Sequence, residues 1–318
     1  MRALTSSSAR TPLAWTELPS LPLKSTQVRI DVRAVGVNPV DWKMRDGEFL
    51  GVMHRLLGPR GPLVVGVDVA GVVTEVGAEV HHVAVGDRVV ASTDFSKGER
   101  GSYAEEAVVS AANCAKLPDS VDFDVAGALP VAGATAWIAL LEIGNLAERK
   151  SPRVLVLGAS GGVGHVAVQL ARRAGAKVVG VCSTRNVALV EGYGAKALDY
   201  TQGDLAERAM AEGPFDVVLD CVGSETYARS WCTRLLAPTG VHIQVVPRAA
   251  DLLAIALPNR TKTVFGRASR ERLEGLVAAI SAGELEVRLA ERIPLSEAER
   301  AHTVSRGGKV VGKLVLCA

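Results

Sequence analysis

The run Arg153-Val154-Leu155-Val156-Leu157 passes without a break into Gly158-Ala159-Ser160-Gly161-Gly162-Val163-Gly164 and on into His165-Val166-Ala167-Val168-Gln169-Leu170-Ala171. A β-branched strand, a glycine turn and a helix in that order make a phosphate cradle. The glycines let backbone N–H groups close on an anion, and the helix N-terminus adds the positive end of its dipole. Ser160, Gly161, Gly162 and Val163 are the candidate pyrophosphate contacts, and Gly164 is where helix and strand must pack closely. Ala159 replaces the first glycine of the common GxGxxG pattern.

A second phosphate subsite is expected one strand later. The sequence Val181-Cys182-Ser183-Thr184-Arg185-Asn186 has no carboxylate where an acidic residue would accept from a ribose 2′-hydroxyl. Ser183, Thr184 and Arg185 offer hydrogen bonds and positive charge to a 2′-phosphate, and Tyr200, after the following strand, is placed to close over it. The expected cofactor is NADP(H); the alternative is that Arg185 is an ordinary solvated loop residue. Val245, Val246 and Pro247 follow the strand-like run Val241 to Val246 at the carboxyl edge, where ligands lie in such sheets, and Phe265 and Gly266 are expected to border the same pocket.

The elements that carry these residues alternate regularly. Apolar runs recur at Val154 to Leu157, Lys177 to Val181, Ala197 to Tyr200, Phe215 to Asp220 and Val241 to Val246, with helical stretches between them, which predicts a doubly wound parallel sheet. Upstream the texture differs. Short β-branched runs at Gln27 to Val35, Val64 to Val76, Asp87 to Ala91 and Ala104 to Val109 are punctuated by Gly, Pro, Asn and Asp, the pattern of a barrel-like antiparallel module. Met1 to Leu4 reads as its first strand, and Phe123 to Leu129 and Ala134 to Leu146 as helices after the change of texture at Pro118. A helix over Ser269 to Ala282 and a strand over Val310 to Leu316 are too little for a third domain. The expected organisation is 1–118 with 262–318 as the barrel-like domain and 119–261 as the cofactor domain.

Composition excludes several classes. With 36 basic and 34 acidic residues among 318 and no basic cluster, nothing marks a nucleic-acid partner. The sequence shows no stretch approaching the ~18–20 apolar residues of a membrane-spanning helix, so a soluble, cytoplasmic chain is expected. Five cysteines without CxxC spacing, and six histidines without an HxxxH pair, give no local metal motif, and no metal is expected.

Several segments together resemble the zinc-independent branch of the medium-chain dehydrogenase/reductase superfamily, the quinone oxidoreductase-like enzymes. They are the GASGGVG turn, Gly36-Val37-Asn38-Pro39-Val40-Asp41-Trp42-Lys43, Gly66-Val67-Asp68-Val69-Ala70-Gly71, Val85-Gly86-Asp87-Arg88-Val89, Leu129 to Trp137, and Gly312-Lys313-Leu314-Val315-Leu316. The NPVDxK stretch and the STRN loop are similar to the plant-type alkenal, enone and quinone reductase subgroup. In zinc-dependent relatives a cysteine occupies the region of Val37 to Asp41 and a His-Glu pair that of Val67-Asp68; neither is present here.

The resemblance implies a GroES-like β-barrel domain beside a Rossmann domain, with the cofactor in the cleft between them and hydride transfer to an activated C=C bond or quinone. It makes Lys43 the catalytic candidate: hydride addition builds negative charge on the acceptor oxygen, which an ammonium stabilises and then protonates. Asn38 is expected to fix the loop or touch the nicotinamide ribose, Thr135 to meet the nicotinamide, and Lys309 to reach the cofactor phosphate. Asp41 and Asp68 read as turn and cap residues, and Tyr103 as a packing residue. A homodimer is implied through the strand Val241 to Val246 taken as a sheet edge. Reduction of an enoyl thioester, and NADPH binding without turnover as a sensor or structural protein, stay open as alternatives.

Overall fold

The computed structural model describes residues 1–47, 61–246 and 259–318, which form two compact units: 1–131 with 268–283 and 287–318, and 132–267 with 284–286. The first unit carries strands β1 (Arg2–Ser6), β2 (Ala14–Glu17), β3 (Gln27–Val37), β4 (Leu63–Val64), β5 (Asp68–Val76), β6 (Arg88–Ser92), β7 (Glu106–Ser110) and β8 (Cys114–Lys116), followed in the second by β9 (Arg153–Leu157), β10 (Lys177–Cys182), β11 (Lys196–Asp199), β12 (Phe215–Asp220), β13 (Leu236–Gln244) and β14 (Thr261–Thr263). The chain then returns to the first unit with β15 (Leu289–Pro294) and β16 (Lys313–Cys317).

In the first unit β3 is the hub: it pairs antiparallel with β16, β5 and β7 within a sheet ordered β15-β16-β3-β5-β6-β8. Its sequence QVRIDVRAVGV sends Val28, Ile30 and Val32 into a core shared with Val69, Val89 and Leu316, the alternation that a sheet with one buried face demands. Two register shifts interrupt its pairing with β5, an extra residue on β5 at Thr74 and one on β3 at Arg33, and the single long strand serves neighbours along both halves. Leu314 pairs with Val37, which delivers Lys313 to the end of β3 beside Asn38. Helix α1 (Pro39–Arg45) starts there because Pro39 has a φ suited to a first helical position and needs no N–H partner.

The unit runs past residue 118, where the sequence reading placed its end. Helix α2 (Phe123–Gly127) packs backbone to backbone on β3: a Cβ on Gly36 would lie 2.7 Å from the Gly127 carbonyl oxygen and 2.4 Å from Asp68 Oδ2. That close approach ties residues 119–131 to the barrel. At the other boundary β14 completes the second sheet, so the return begins at Ala268 rather than 262.

In the second unit all six strands run parallel in the order β11-β10-β9-β12-β13-β14. The order reverses between β9 and β12, and ligands of such sheets bind at the carboxyl ends beside that switch point. RVLVL, KVVGVC and FDVVLD are nearly continuous apolar runs, as strands covered on both faces require. Helix α3 (Pro130–Trp137) leads into this unit, and α4 (Gly164–Arg173), α5 (Val187–Gly192), α6 (Leu205–Glu212) and α7 (Arg229–Arg234) lie along it; α8 (Arg270–Ser281) and α9 (Ala298–Arg306) belong to the first.

Two expectations are corrected. The strand taken as the sheet edge is interior: β13 starts at Leu236 and is flanked by β12 and β14. One stretch, Pro130–Glu148, does have the length and apolar content of a membrane-crossing helix, although its helical structure breaks at Gly144 and at Asn145, whose φ is +50°. Ala132, Ala134, Ala136, Ala139 and Leu140 are buried there, and the run widens into a π-helical turn over Ile138–Ile143.

Candidate active site

The glycine turn closes tightly at the carboxyl end of β9. Gly158 has φ +77°, a conformation costly for a side chain-bearing residue, and its carbonyl accepts the Gly161 N–H at 3.0 Å. Helix α4 then starts at Gly164, where a Cβ would lie 2.1 Å from the Gly158 oxygen. Gly161, Gly162 and Val163 are half-buried at the helix N-terminus, where backbone N–H groups and the helix dipole favour an anion. Ser160 is turned inward and accepts from Asn186 Nδ2 at 2.9 Å, which ties the glycine turn to the loop after β10.

That loop holds Ser183, Thr184 and Arg185, the last two exposed. Asn186 Nδ2 also reaches Ser183 Oγ at 3.3 Å. Tyr200 is 52% exposed and its N–H donates to the Cys182 carbonyl at 3.0 Å, so it stands beside the loop although a strand separates them in sequence. A residue missed in the sequence organises this corner. Asp199, the register partner of Cys182, accepts from Thr184 Oγ1 at 2.6 Å and from the Thr201 N–H at 2.9 Å; the Thr184 hydroxyl, ahead of burial, holds its carboxyl below the usual range. Its carboxylate is spent on holding the loop.

In the first unit the end of β3 and the start of α1 carry a buried polar chain. Lys313 Nζ donates to Asn38 Oδ1 at 2.5 Å and to the Val37 carbonyl at 3.1 Å, and lies 3.6 Å from Asp68 Oδ2. Asn38 Nδ2 donates to Asp68 Oδ2 at 2.8 Å, while Asp68 Oδ1 accepts the Val131 N–H at 2.8 Å. Burial pushes Asp68 up and Lys313 down, and in each case the partner's opposite charge works against that push. Asp68 is thus half of a buried ion pair, not the turn residue its type suggested. Asn38 engages both ends of its amide inside the unit, the loop-fixing role of the two foreseen.

Asp41 does cap α1, accepting the Asn38 N–H at 2.7 Å. It also takes the Tyr103 hydroxyl at 3.3 Å, and Tyr103 in turn lies 3.3 Å from His302 Nε2 on α9. All three side chains are buried. Burial raises Asp41 to about 7, against the Asn38 N–H, and lowers His302 to about 4 with the help of the Arg45 charge. Lys43, half-buried two residues on, has its ammonium 5.6 Å from the centre of the Trp42 ring, whose Nε1 donates to Ser305 at 3.2 Å.

The other candidates are scattered. Thr135 is 2% exposed in α3; the Val245 N–H donates to the Asp220 carbonyl at 2.9 Å and, with Val246, follows β13 at the carboxyl edge. Pro247 lies outside the described residues. Phe265 is 67% exposed beside the half-buried Gly266, and Lys309 is exposed ahead of β16 in the first unit.

Residues 24–119 match the alcohol dehydrogenase GroES-like domain family, and residues 193–316 match the zinc-binding dehydrogenase family. The chain is 33% identical to the chloroplast envelope quinone oxidoreductase homolog of Arabidopsis thaliana over 96% of its own length and 93% of that protein's. It is a medium-chain dehydrogenase/reductase of the quinone oxidoreductase-like branch. The human mitochondrial NAD(P)H oxidoreductase RTN4IP1 is 30% identical over 91% of this chain and 81% of its own. A quinone oxidoreductase from Coxiella burnetii superposes with a TM-score of 0.87 at 30% identity, covering 100% and 99% of the two chains. The Escherichia coli quinone oxidoreductase solved with NADPH does so with 0.80 at 25%, covering 100% and 99%.

The second family's description implies zinc, and the donor set of this oxidoreductase does not suit a zinc ion in its GroES-like unit. Where zinc-dependent relatives carry Cys and His-Glu, the described residues offer an amide, Asn38, and two carboxylates, Asp41 and Asp68. The Lys313 ammonium already sits among them, so a divalent cation there would face a buried positive charge.

Proposed function

We propose that this oxidoreductase is an NADPH-dependent, zinc-independent reductase of α,β-unsaturated carbonyls or quinones. The observation that carries the reading is the lysine in place of a metal: with Lys313 paired to Asp68, the described residues of the GroES-like unit offer no Lewis acid position there, and polarisation of the acceptor oxygen falls to a side chain. NADPH supplies the hydride when bound. The glycine turn before α4 takes the pyrophosphate, and Ser183, Thr184 and Arg185 take the 2′-phosphate, a choice favoured because Asp199 points its charge into the protein instead of toward a ribose hydroxyl. The neighbour solved with NADPH supports the same cofactor.

Lys43 stabilises the developing enolate or phenolate oxygen and hands it a proton. The Lys43 ammonium lies 5.6 Å from the centre of the Trp42 ring, and the Asp41 cap fixes the start of the helix that carries both. The test is absorbance-monitored oxidation of NADPH with enones, enals, quinones and enoyl thioesters, run beside NADH and with and without brief chelator treatment. Chelator-resistant, NADPH-selective turnover of enones or quinones is expected. Turnover confined to enoyl thioesters, or tight NADPH binding with none, would replace this reading.

A further inference from the structure

The second unit contains a polar cluster where its architecture calls for apolar packing. Asp220 ends β12, His242 lies on β13, and Cys232 on α7 faces them; the three side chains are fully buried, and one donor atom from each lies within 4.8 Å of the others. Around them the core is Phe215, Val218, Leu235 and Leu236. A carboxylate, a thiol and an imidazole gathered in such surroundings need a reason, since each loses hydration there.

Their supports are those of metal ligands. Asp220 Oδ1 accepts the N–H groups of Val222 and Gly223, each at 2.9 Å, which fixes the plane of the carboxylate. His242 Nδ1 lies 3.2 Å from Thr261 Oγ1 on the neighbouring strand, an outer contact that orients the ring and selects which nitrogen faces the cluster. Gln244 is the register partner of Asp220, so its side chain leaves the same face of the sheet, and it is fully buried with neither Oε1 nor Nε2 hydrogen-bonded. An amide oxygen is therefore at hand as a fourth donor, and an orphaned buried amide is otherwise costly.

We infer that Asp220, Cys232 and His242, completed by Gln244, form a structural site for one zinc-class divalent ion. Charge supports it: a carboxylate and a thiolate neutralise a divalent cation, so the loaded site carries no net charge into the apolar interior. On binding, the Cys232 thiol gives its proton to solvent, the imidazole stays neutral, and no redox change occurs. The mixed S, N and O set suits zinc or cobalt rather than magnesium or calcium. Tetrahedral donors around zinc stand about 3.5 Å apart, so closing on the ion needs about 1 Å of side-chain movement. The site takes no part in hydride transfer, and it stands whether or not the proposed reductase activity does.

The experiment loads the full-length, tag-free protein with zinc or with cobalt alone, removes excess by gel filtration, and measures metal content and the absorption spectrum. About one ion per chain is expected, with a thiolate-to-cobalt charge-transfer band and the intense visible bands of tetrahedral cobalt. Cys232→Ser should remove the charge-transfer band, and His242→Gln, which keeps the thiol, should lower stoichiometry and weaken the tetrahedral bands. Wild-type protein retaining less than about a tenth of an ion per chain would overturn the site. So would a cobalt spectrum without thiolate character, a reading that needs no variant to fold.

Discussion

Lys313 Nζ lies 3.6 Å from Asp68 Oδ2, with both side chains out of water and 244 residues of chain between them. Breaking such a pair leaves one uncompensated buried charge. Lys313→Met should therefore destabilise the protein by about 3–5 kcal/mol, while Lys313→Met with Asp68→Asn should recover much of the loss. Denaturant unfolding of the two variants and of Asp68→Asn closes the cycle. Additive losses would show that the two charges do not stabilise one another.

Asp41 and His302 should tilt the pH dependence of stability in opposite directions. The folded pKa of Asp41, about 7, lies above the ~3.9 of an unfolded aspartate, so between those two values the folded chain holds a proton that the unfolded chain has lost. That contribution is complete below pH ~4 and is lost as pH rises to about 7. His302 is the reverse: its folded value, about 4, lies below the ~6.5 of a free histidine, so its contribution is present above ~6.5 and lost as pH falls through 4. Asp41→Asn, which still accepts from the Asn38 N–H, should gain on wild type between pH 5 and 7.5. Unfolding free energies at those two pH values decide it, and a pH-independent difference would contradict the assignment.

Lys43 and Arg185 separate chemistry from cofactor choice. Lys43→Ala should lower turnover by about a hundredfold with NADPH affinity unchanged, since the ammonium acts on charge that develops only during reaction. Arg185→Asp should weaken NADPH relative to NADH by about ten- to a hundredfold, the worth of one or two charge-assisted hydrogen bonds. Steady-state kinetics with both cofactors, and nucleotide titration of Lys43→Ala, give the answers. Equal loss of both cofactors in Arg185→Asp would remove it from the 2′-phosphate site.

Gly164→Ala places a methyl 2.1 Å from the Gly158 carbonyl oxygen, a backbone atom that cannot swing away. The helix must back off the strand. We expect a loss of about 1–3 kcal/mol in stability together with weakened nucleotide binding. Gly175→Ala, whose Cβ would meet nothing, should cost less despite its φ of +81°, and comparing the two thermal unfolding curves isolates the packing effect.

What the sequence determined by itself is local or periodic. Apolar runs and the glycine turn at Gly158, with its φ of +77°, are set within a few residues, so the doubly wound sheet and its glycine turn were legible before any coordinate, as was a turn or cap role for Asp41, though not the helix that it caps. Tertiary structure alone decided the pairings. Lys313 reaches Asn38 and Asp68 because β16 returns along β3 in one register; Asp199 reaches Thr184 because β11 pairs with β10; and Tyr103 links Asp41 to His302 across three distant elements. Asp220, Cys232 and His242 meet in the same way. Residue type announces that a side chain can carry charge or donate a proton, but burial and the partner decide which form it takes, and both are properties of the folded chain.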